Sequence, residues 1–284
     1  MAGLRREPTA RQVRLGVELR KMRDAAGLTG REAAAALGVS STQINQIESG
    51  LSGVSEKRLR RLAANYACPD GKLIDALVAM ATNRPRGWWE EYRGALPTPF
   101  LDLPELEHHA HYRWDVEFLH IPGLLQTEDY ARALFSYVNP EFPEDDVERW
   151  VEHRMQRKVI IEGTALIPYE TVIHEAALRI RVGDQSEART QLNRVLELSE
   201  ADNVTVRVIP FDMNGFGGAG SAMVYAGGPV PPLDTVVRDG PNGPVFIGAE
   251  AQLRRYRTLF RRVEAVSLAP ERSRDFIHKL TKEL

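Results

Sequence analysis

The sequence predicts two units, an all-α domain of five helices over residues 1–84 and an α+β domain with a modest mixed sheet over 85–284. Three observations predict this. Apolar residues recur at helical spacing from Leu15 to Ala81. In Asn83-Arg84-Pro85-Arg86-Gly87 a proline and a glycine stop a helix and release the chain. Beyond that point helical runs alternate with short β-rich runs such as NVTVRVIPF and DTVVRD. At 284 residues the chain is long for one domain and comfortable for two.

Residues 1–10 read as an arm that offers Arg5 and Arg6. A helix over about Gln12 to Ala26 buries Leu15, Leu19 and Met22 and ends at Gly27, while Arg11, Arg14, Arg20, Lys21 and Arg23 line its polar sides. Thr29 caps a second helix, Ala33, Ala34 and Leu37 face inward, and Gly38 supplies the turn. Ser40 caps a third helix from Ser41 to Ser49. On it Ile44 and Ile47 share one face, and Ser41, Thr42, Asn45, Gln46 and Ser49 share another. Solvated helix faces usually carry Lys and Glu, yet only Glu48 is charged here. Amides and hydroxyls both donate and accept, as reading base edges in a major groove requires. Two short helices joined by a tight turn therefore predict a helix-turn-helix unit, with base reading by Ser41, Thr42, Asn45 and Gln46.

After the loop LSGVS, a helix capped by Ser55 turns Leu59, Leu62, Ala63 and Tyr66 inward and Lys57, Arg58, Arg60 and Arg61 outward. Helix-start amides and this basic rim place phosphate contact on Arg20, Thr29, Arg31, Ser40, Ser52, Lys57 and Arg58. A fifth helix, Asp70 to Ala81, is too apolar for an outer helix, so it packs on a partner or on the second domain.

Residues 12–66 resemble the Cro/Xre-type helix-turn-helix domain through LRKMRDAAGLT, AALGVSSTQINQIESG and LRRLAANY. The resemblance implies a lambda-repressor-like fold with the third helix as the reading head. Gly30 stands where that family usually has a phosphate-contacting Gln, and Ala33 where it usually has Leu.

Composition sets the wider limits. No stretch approaches the ~20 apolar residues needed to span a bilayer. MAGLRREPTARQ lacks the apolar core of a signal peptide, so a cytoplasmic protein without membrane attachment is expected. The single cysteine, Cys68, excludes an internal disulfide and a cysteine-rich metal site. The net charge of −2 hides an asymmetry. Residues 1–66 hold 12 Lys/Arg against 6 Asp/Glu, and the rest hold 25 against 33. A basic small domain on an acidic large one suits a DNA reader with a separate regulatory body.

The second unit opens with Trp88, Trp89, Tyr92, Phe100, Tyr112, Trp114 and Phe118, an aromatic stretch that reads as core, domain interface or pocket lining. In FLHIPGLLQTEDYARALF, Pro122-Gly123 turns the chain and Thr127 caps a helix on which Tyr130, Leu134 and Tyr137 share a side. Pro143 opens another, with Val147, Trp150, Val151, Met155 and Val159 inward. ALIPYETVIH reads as a strand, EAALRIRVG as a short helix and QSEARTQLNRVLELSE as a longer one. NVTVRVIPF, SAMVYAG, DTVVRD and PVFIG read as strands, and helices over about Ala249 to Val263 and Pro270 to Lys282 close the chain.

From Trp88 onward the chain resembles the large regulatory domain found behind Xre-type heads in actinobacterial regulators. WWEEY, IPGLLQTEDYARAL, RMQRKVIIE, HEAALRIRVGD, QLNRVLELSEADNVTVRVIPF and YRTLFRRVEAVSL carry that resemblance. It departs at DTVVRDGPNGPVFIG, which replaces a strand with a glutamate. The resemblance implies a toxin–antitoxin-like setting and a small acidic protein partner.

Catalytic chemistry is not called for. GFGGAG (215–220) precedes a strand-like run rather than the helix a dinucleotide site needs, so a glycine-rich hairpin is expected. Glu107-His108-His109-Ala110-His111 lacks metal-ligand spacing, and Ser221 lacks the elbow of a hydrolase nucleophile. No paired carboxylates stand out, and no cofactor or metal is expected. The expectation is a non-enzymatic, homodimeric, sequence-specific regulator of transcription on a double-stranded DNA operator. Its second domain is either a small-molecule sensor or a docking platform for a small acidic protein, with an antitoxin-like role or an enzyme with a DNA-binding head as alternatives. The effector or partner site is placed at Trp88, Trp114, Pro122, Gly123, Leu124, Gln126 and Tyr130.

Overall fold

The computed structural model describes residues 7–83, 86–218, 220, 222–239 and 243–284. Arg5 and Arg6, the Arg84-Pro85 boundary between the two expected domains, and Ser221 lie outside the described residues.

Five helices form the head: α1 (Ala10–Ala25), α2 (Gly30–Leu37), α3 (Ser41–Glu48), α4 (Glu56–Asn65) and α5 (Gly71–Thr82). Each begins with a side chain, from Thr9, Thr29, Ser40, Ser55 and Asp70 in turn, that accepts the amide three residues on. Such caps stabilise a helix start by ~1 kcal/mol each. The turn between α2 and α3 needs Gly38, whose φ is +71°. There Val39 N–H donates to Ala34 O at 3.0 Å and Gly38 N–H to Ala35 O at 3.1 Å, closing α2 in a Schellman motif. Leu15, Leu19, Ile44, Ile47, Leu59, Leu62 and Leu77 form the core, and half-buried Cys68 packs on it. Leu233 and Val230 from the second unit join the same core.

The body follows as a 3-10 turn (Trp88–Tyr92), α6 (Thr98–His108), β1 (Tyr112–Glu117), a 3-10 turn (Gly123–Leu125), α7 (Glu128–Val138), α8 (Glu144–Gln156), α9 (Val159–Glu162), β2 (Tyr169–His174), α10 (Glu175–Arg179), α11 (Gln185–Leu198), β3 (Val204–Ile209), β4 (Met223–Gly227), β5 (Thr235–Arg238), β6 (Val245–Ile247), α12 (Glu250–Ala265) and α13 (Pro270–Glu283). Among the described residues its sheet runs β3-β2-β1-β4-β5-β6, parallel from β3 to β1 and antiparallel from β1 to β6. The fold is thus the five-helix domain and the α+β domain with a mixed sheet that the sequence predicts. One sheet face packs Tyr169, Ile173, Val204, Val206 and Val208 against α7, α11 and α13. The other packs Val116, Val172, Tyr225 and Val236 against Leu253, Phe260 and Val263 of α12.

Several local expectations are corrected. The central strand β1 and helix α6 emerge from the stretch read only as aromatic. GFGGAG is not a hairpin, because β3 and β4 are separated in the sheet by β2 and β1 and the loop must cross their ends. Tyr137 is 84% exposed, so the buried stripe of α7 is Tyr130, Ala131, Leu134 and Phe135. Val159 is exposed too, because α8 ends at Gln156 and a new short helix changes the facing.

Candidate nucleic-acid interface and the cavity of the second domain

On α3, Ile44 and Ile47 are buried, Ser41, Thr42 and Asn45 are exposed, and Gln46 is half-buried. Asn45 leans over Gly30, where a Cβ would lie 3.7 Å from its Oδ1. Glu48, the one acid on this helix, turns away from the polar face. Its carboxylate accepts Arg23 Nε–H at 2.6 Å and Nη2–H at 2.9 Å, and Arg23 Nη1–H also donates to Leu28 O at 2.7 Å. Its hydrogen bonds to Glu48 hold the Arg23 guanidinium above its usual pKa. The pair clears the polar face of charge and ties α3 to α1.

The expected phosphate contacts divide. Arg31, Lys57 and Arg58 are exposed and form no ion pair among the described residues. Arg20 is exposed and only 3.7 Å from Asp24. Ser40 Oγ caps Gln43 N at 3.2 Å, and half-buried Ser52 donates its amide to Gln46 O at 3.0 Å. Thr29 is engaged by its own helix, since its amide and hydroxyl both donate to Glu32 Oε2 at 2.7 Å. These bonds depress the Glu32 carboxyl pKa. Of the other cations, Arg60 is paired with Glu56 at 2.8 Å and Asp75 at 2.9 Å. Arg14 pairs with Glu18 at 2.9 Å and donates to Pro232 O at 2.5 Å, so it serves the domain contact.

The body is hydrogen-bonded to α1, and among the described residues Ser41, Thr42 and Asn45 of α3 stay exposed. Ala10 N–H donates to Asp102 Oδ1 at 3.0 Å, and Lys21 Nζ reaches Gly248 O at 3.4 Å. Between head and body lies a cleft of ≈ 620 Å³ whose walls include Val13, Val17, Met80, Leu106 and His109. The loop that reaches the head is fixed by buried Asp234. Its carboxylate accepts Tyr225 OH at 2.5 Å, Gly228 N–H at 2.9 Å and Arg257 Nη1–H at 3.1 Å.

Within the body a second cavity of ≈ 810 Å³ lies between β1, α6, α8, the Gly123–Leu125 turn and the glycine-rich loop. Of the residues expected to hold an effector or partner, Gly123 and Gln126 line it. The others stand elsewhere. Trp88 packs edge-on to Trp89 at 6.0 Å and beside His153 at 5.2 Å. Trp114 stacks on Phe260 at 4.7 Å on the opposite sheet face. Leu124 belongs to the core, and Pro122 is buried. Tyr130 is buried, with its hydroxyl accepting Ile121 N–H at 3.1 Å. The tryptophans therefore build core, while Phe100 and Phe118 of the aromatic segment join the turn in lining the cavity. His108 and His109 meet edge to face at 4.9 Å, and burial lowers the His109 pKa to about 4.

A two-helix turn with an uncharged polar face and a basic rim is the architecture of a DNA-binding regulator. Residues 14–77 match the family described as a helix-turn-helix domain. Residues 100–279 match the domain of unknown function DUF5753, and the chain belongs to that family. No curated protein and no solved structure matches the chain.

The residues that reasoning from sequence missed are ionisable ones of the cavity, Arg113, Glu117, Arg154, Arg157 and Asp239. Two signals pointed to Arg113, Glu117 and Arg154. YRWDVE alternates charge with apolar residues in strand period, and Arg154 falls three and four places after the inward Val151 and Trp150.

Proposed function

We propose that this protein is a cytoplasmic, homodimeric, Xre-type regulator that binds a specific operator, performs no catalysis, and has its DNA binding set by a small molecule held in the body. The observation that carries the DNA reading is the polar face of α3, cleared of charge by the Arg23–Glu48 pair and left open by the docked body. Gln46 and Asn45 offer amides for adenine edges, Ser41 and Thr42 offer hydroxyls, and Arg31, Lys57 and Arg58 meet phosphates. A homodimer follows from the small reading surface of one head, which needs two half-sites for specificity.

Operator selection from random duplexes tests it. On the selected operator Gln46→Ala is expected to cost ~1–3 kcal/mol and to relax preference at one base pair. Lys57→Ala should weaken operator and random DNA alike and reduce the salt slope by about one. Equal losses for Gln46→Ala on operator and random DNA would remove the base-reading role. Native mass spectrometry of protein from its own host separates the controllers: a stoichiometric metabolite adduct supports the sensor, and a co-purifying small acidic protein an antitoxin-like module instead.

A further inference from the structure

The floor of the body's cavity is a closed set of charges. Arg113 donates to both oxygens of Asp115 at 2.7 Å and to Glu107, while Tyr169 OH donates to Asp115 at 2.9 Å. Arg157 donates to Glu107 at 3.0 and 2.6 Å. Two guanidinium groups and two carboxylates cancel. All four are buried, and each is hydrogen-bonded, as buried charges must be.

Arg154 lines the same cavity and stands outside this set. Its Nη1–H donates to Gln126 Oε1 at 2.6 Å and its guanidinium lies 4.9 Å from the Phe135 ring centre. Among the described residues no carboxylate is within ion-pair distance of it. Burial, reinforced by Arg157, lowers its pKa to about 9, which still leaves it charged at neutral pH. A half-buried cation whose direct polar partner is a neutral amide leaves a place for a counter-charge from a ligand. Gln126 is fixed in the orientation that presents its oxygen to Arg154, because its Nε2–H donates to Ile121 O at 2.7 Å and the side chain is 2% exposed. Gly123 makes the space, since a Cβ there would approach Arg154 Nη1 to 3.2 Å.

The walls beyond Arg154 are largely apolar, with Phe100, Phe118, Ile121, Leu134 and Phe216 among them. Phe118 and Phe216 stack at 6.1 Å, and His174 tilts over Phe216 at 5.6 Å. A volume of ≈ 810 Å³ is that of a small-molecule site. We propose that this cavity binds a small monocarboxylate with an apolar, ring-containing body, its carboxylate paired with the Arg154 guanidinium. A monoanion matches the single charge of Arg154, whereas a phosphate dianion would bring a second negative charge beside Asp239. Glu117 adds a donor: burial, with Asp115 and Asp239 nearby, pushes its carboxyl up to about 8, so it keeps a proton at neutral pH.

The assignment rests on the sensor reading of the second domain, and calorimetry on the full chain tests it separately from DNA binding. The probes are 2-naphthoate, 2-naphthamide and 1-naphthyl phosphate. The naphthoate is expected to bind one per chain, at least ~10-fold tighter than the amide or the phosphate, as a charge-assisted hydrogen bond requires. Arg154→Met should remove that preference without changing amide affinity, and Arg154→Lys should restore part of it. Equal binding of naphthoate and naphthamide to the unaltered chain, tighter binding of the phosphate, no binding by any probe, or undiminished naphthoate binding by Arg154→Met would each overturn the assignment. Naphthoate binding that leaves operator affinity unchanged would support the site and overturn the sensor reading alone.

Discussion

Asp102 accepts the Ala10 amide at 3.0 Å from a position that is 8% exposed, which makes this carboxylate one of the contacts between head and body. Burial, with Glu105 nearby, pushes its carboxyl up to about 6, while the Ala10 amide pulls the other way. The folded chain therefore holds a proton that the unfolded chain releases near pH ~3.9. Stability from this group is fully present below pH ~4 and is lost as pH rises to about 6, by an amount on the order of 1–3 kcal/mol. Asp102→Asn keeps an acceptor for Ala10 and cannot titrate. Denaturant unfolding of both chains should show the variant gaining by that amount between pH 4 and 7. A constant difference across this range would mean that Asp102 does not titrate there. Arg154 shows the complementary case, a cation whose missing counter-charge is legible only once its neighbours are in place.

Helix α1 meets α3 at Gly16, where a Cβ would lie 2.4 Å from Glu48 O and 2.7 Å from Ile47 O. Those atoms are backbone and have no rotamer to change, so Gly16→Ala must separate the helices. Overpacking of this kind costs ~1–3 kcal/mol. The expected result is a lower thermal midpoint and weaker operator binding, since α3 is tilted at its C-terminal end. An unchanged midpoint would show that the two helices are not in backbone contact. The head was legible from sequence because its helices carry side-chain caps and simple apolar stripes. What it hid was the pairing of Glu48 with Arg23, which joins residues 25 positions apart. In the body, YRWDVE carries the alternation of a strand but hides that both faces of β1 are covered, one of them by charges. Arg113 and Asp115 are 2% and 1% exposed, and alternation of polar and apolar residues ordinarily marks a solvated face. Helix α6 was masked by an internal proline, Pro104. Of the cavity, the IPGLLQT turn gave Gly123 and Gln126, while the tryptophans reported burial rather than an opening.

At the scale of the whole molecule, Leu233 reports how head and body are joined. It belongs to the body, is 6% exposed, and is buried in the core of the head. Asp234 beside it anchors the loop through Tyr225, Gly228 and Arg257, and Pro232 O receives Arg14 of α1. Helix α6 runs between the two openings: Phe100 and Leu103 line the body's cavity, and Asp102 and Leu106 line the cleft against α1. The cavity and the contact with the head therefore share one wall helix. Small interdomain contacts leave relative motion as the default, so the Leu233 anchor should decide whether the units melt together. Leu233→Ala removes ~2–3 kcal/mol of burial from that contact. Calorimetric unfolding is expected to be a single transition across both units in the unaltered chain and to separate into a head transition and a body transition in the variant. A single transition in the variant, merely shifted downward, would show that the α1 contacts with Asp102, Pro232 and Gly248 suffice to hold the units together without this anchor.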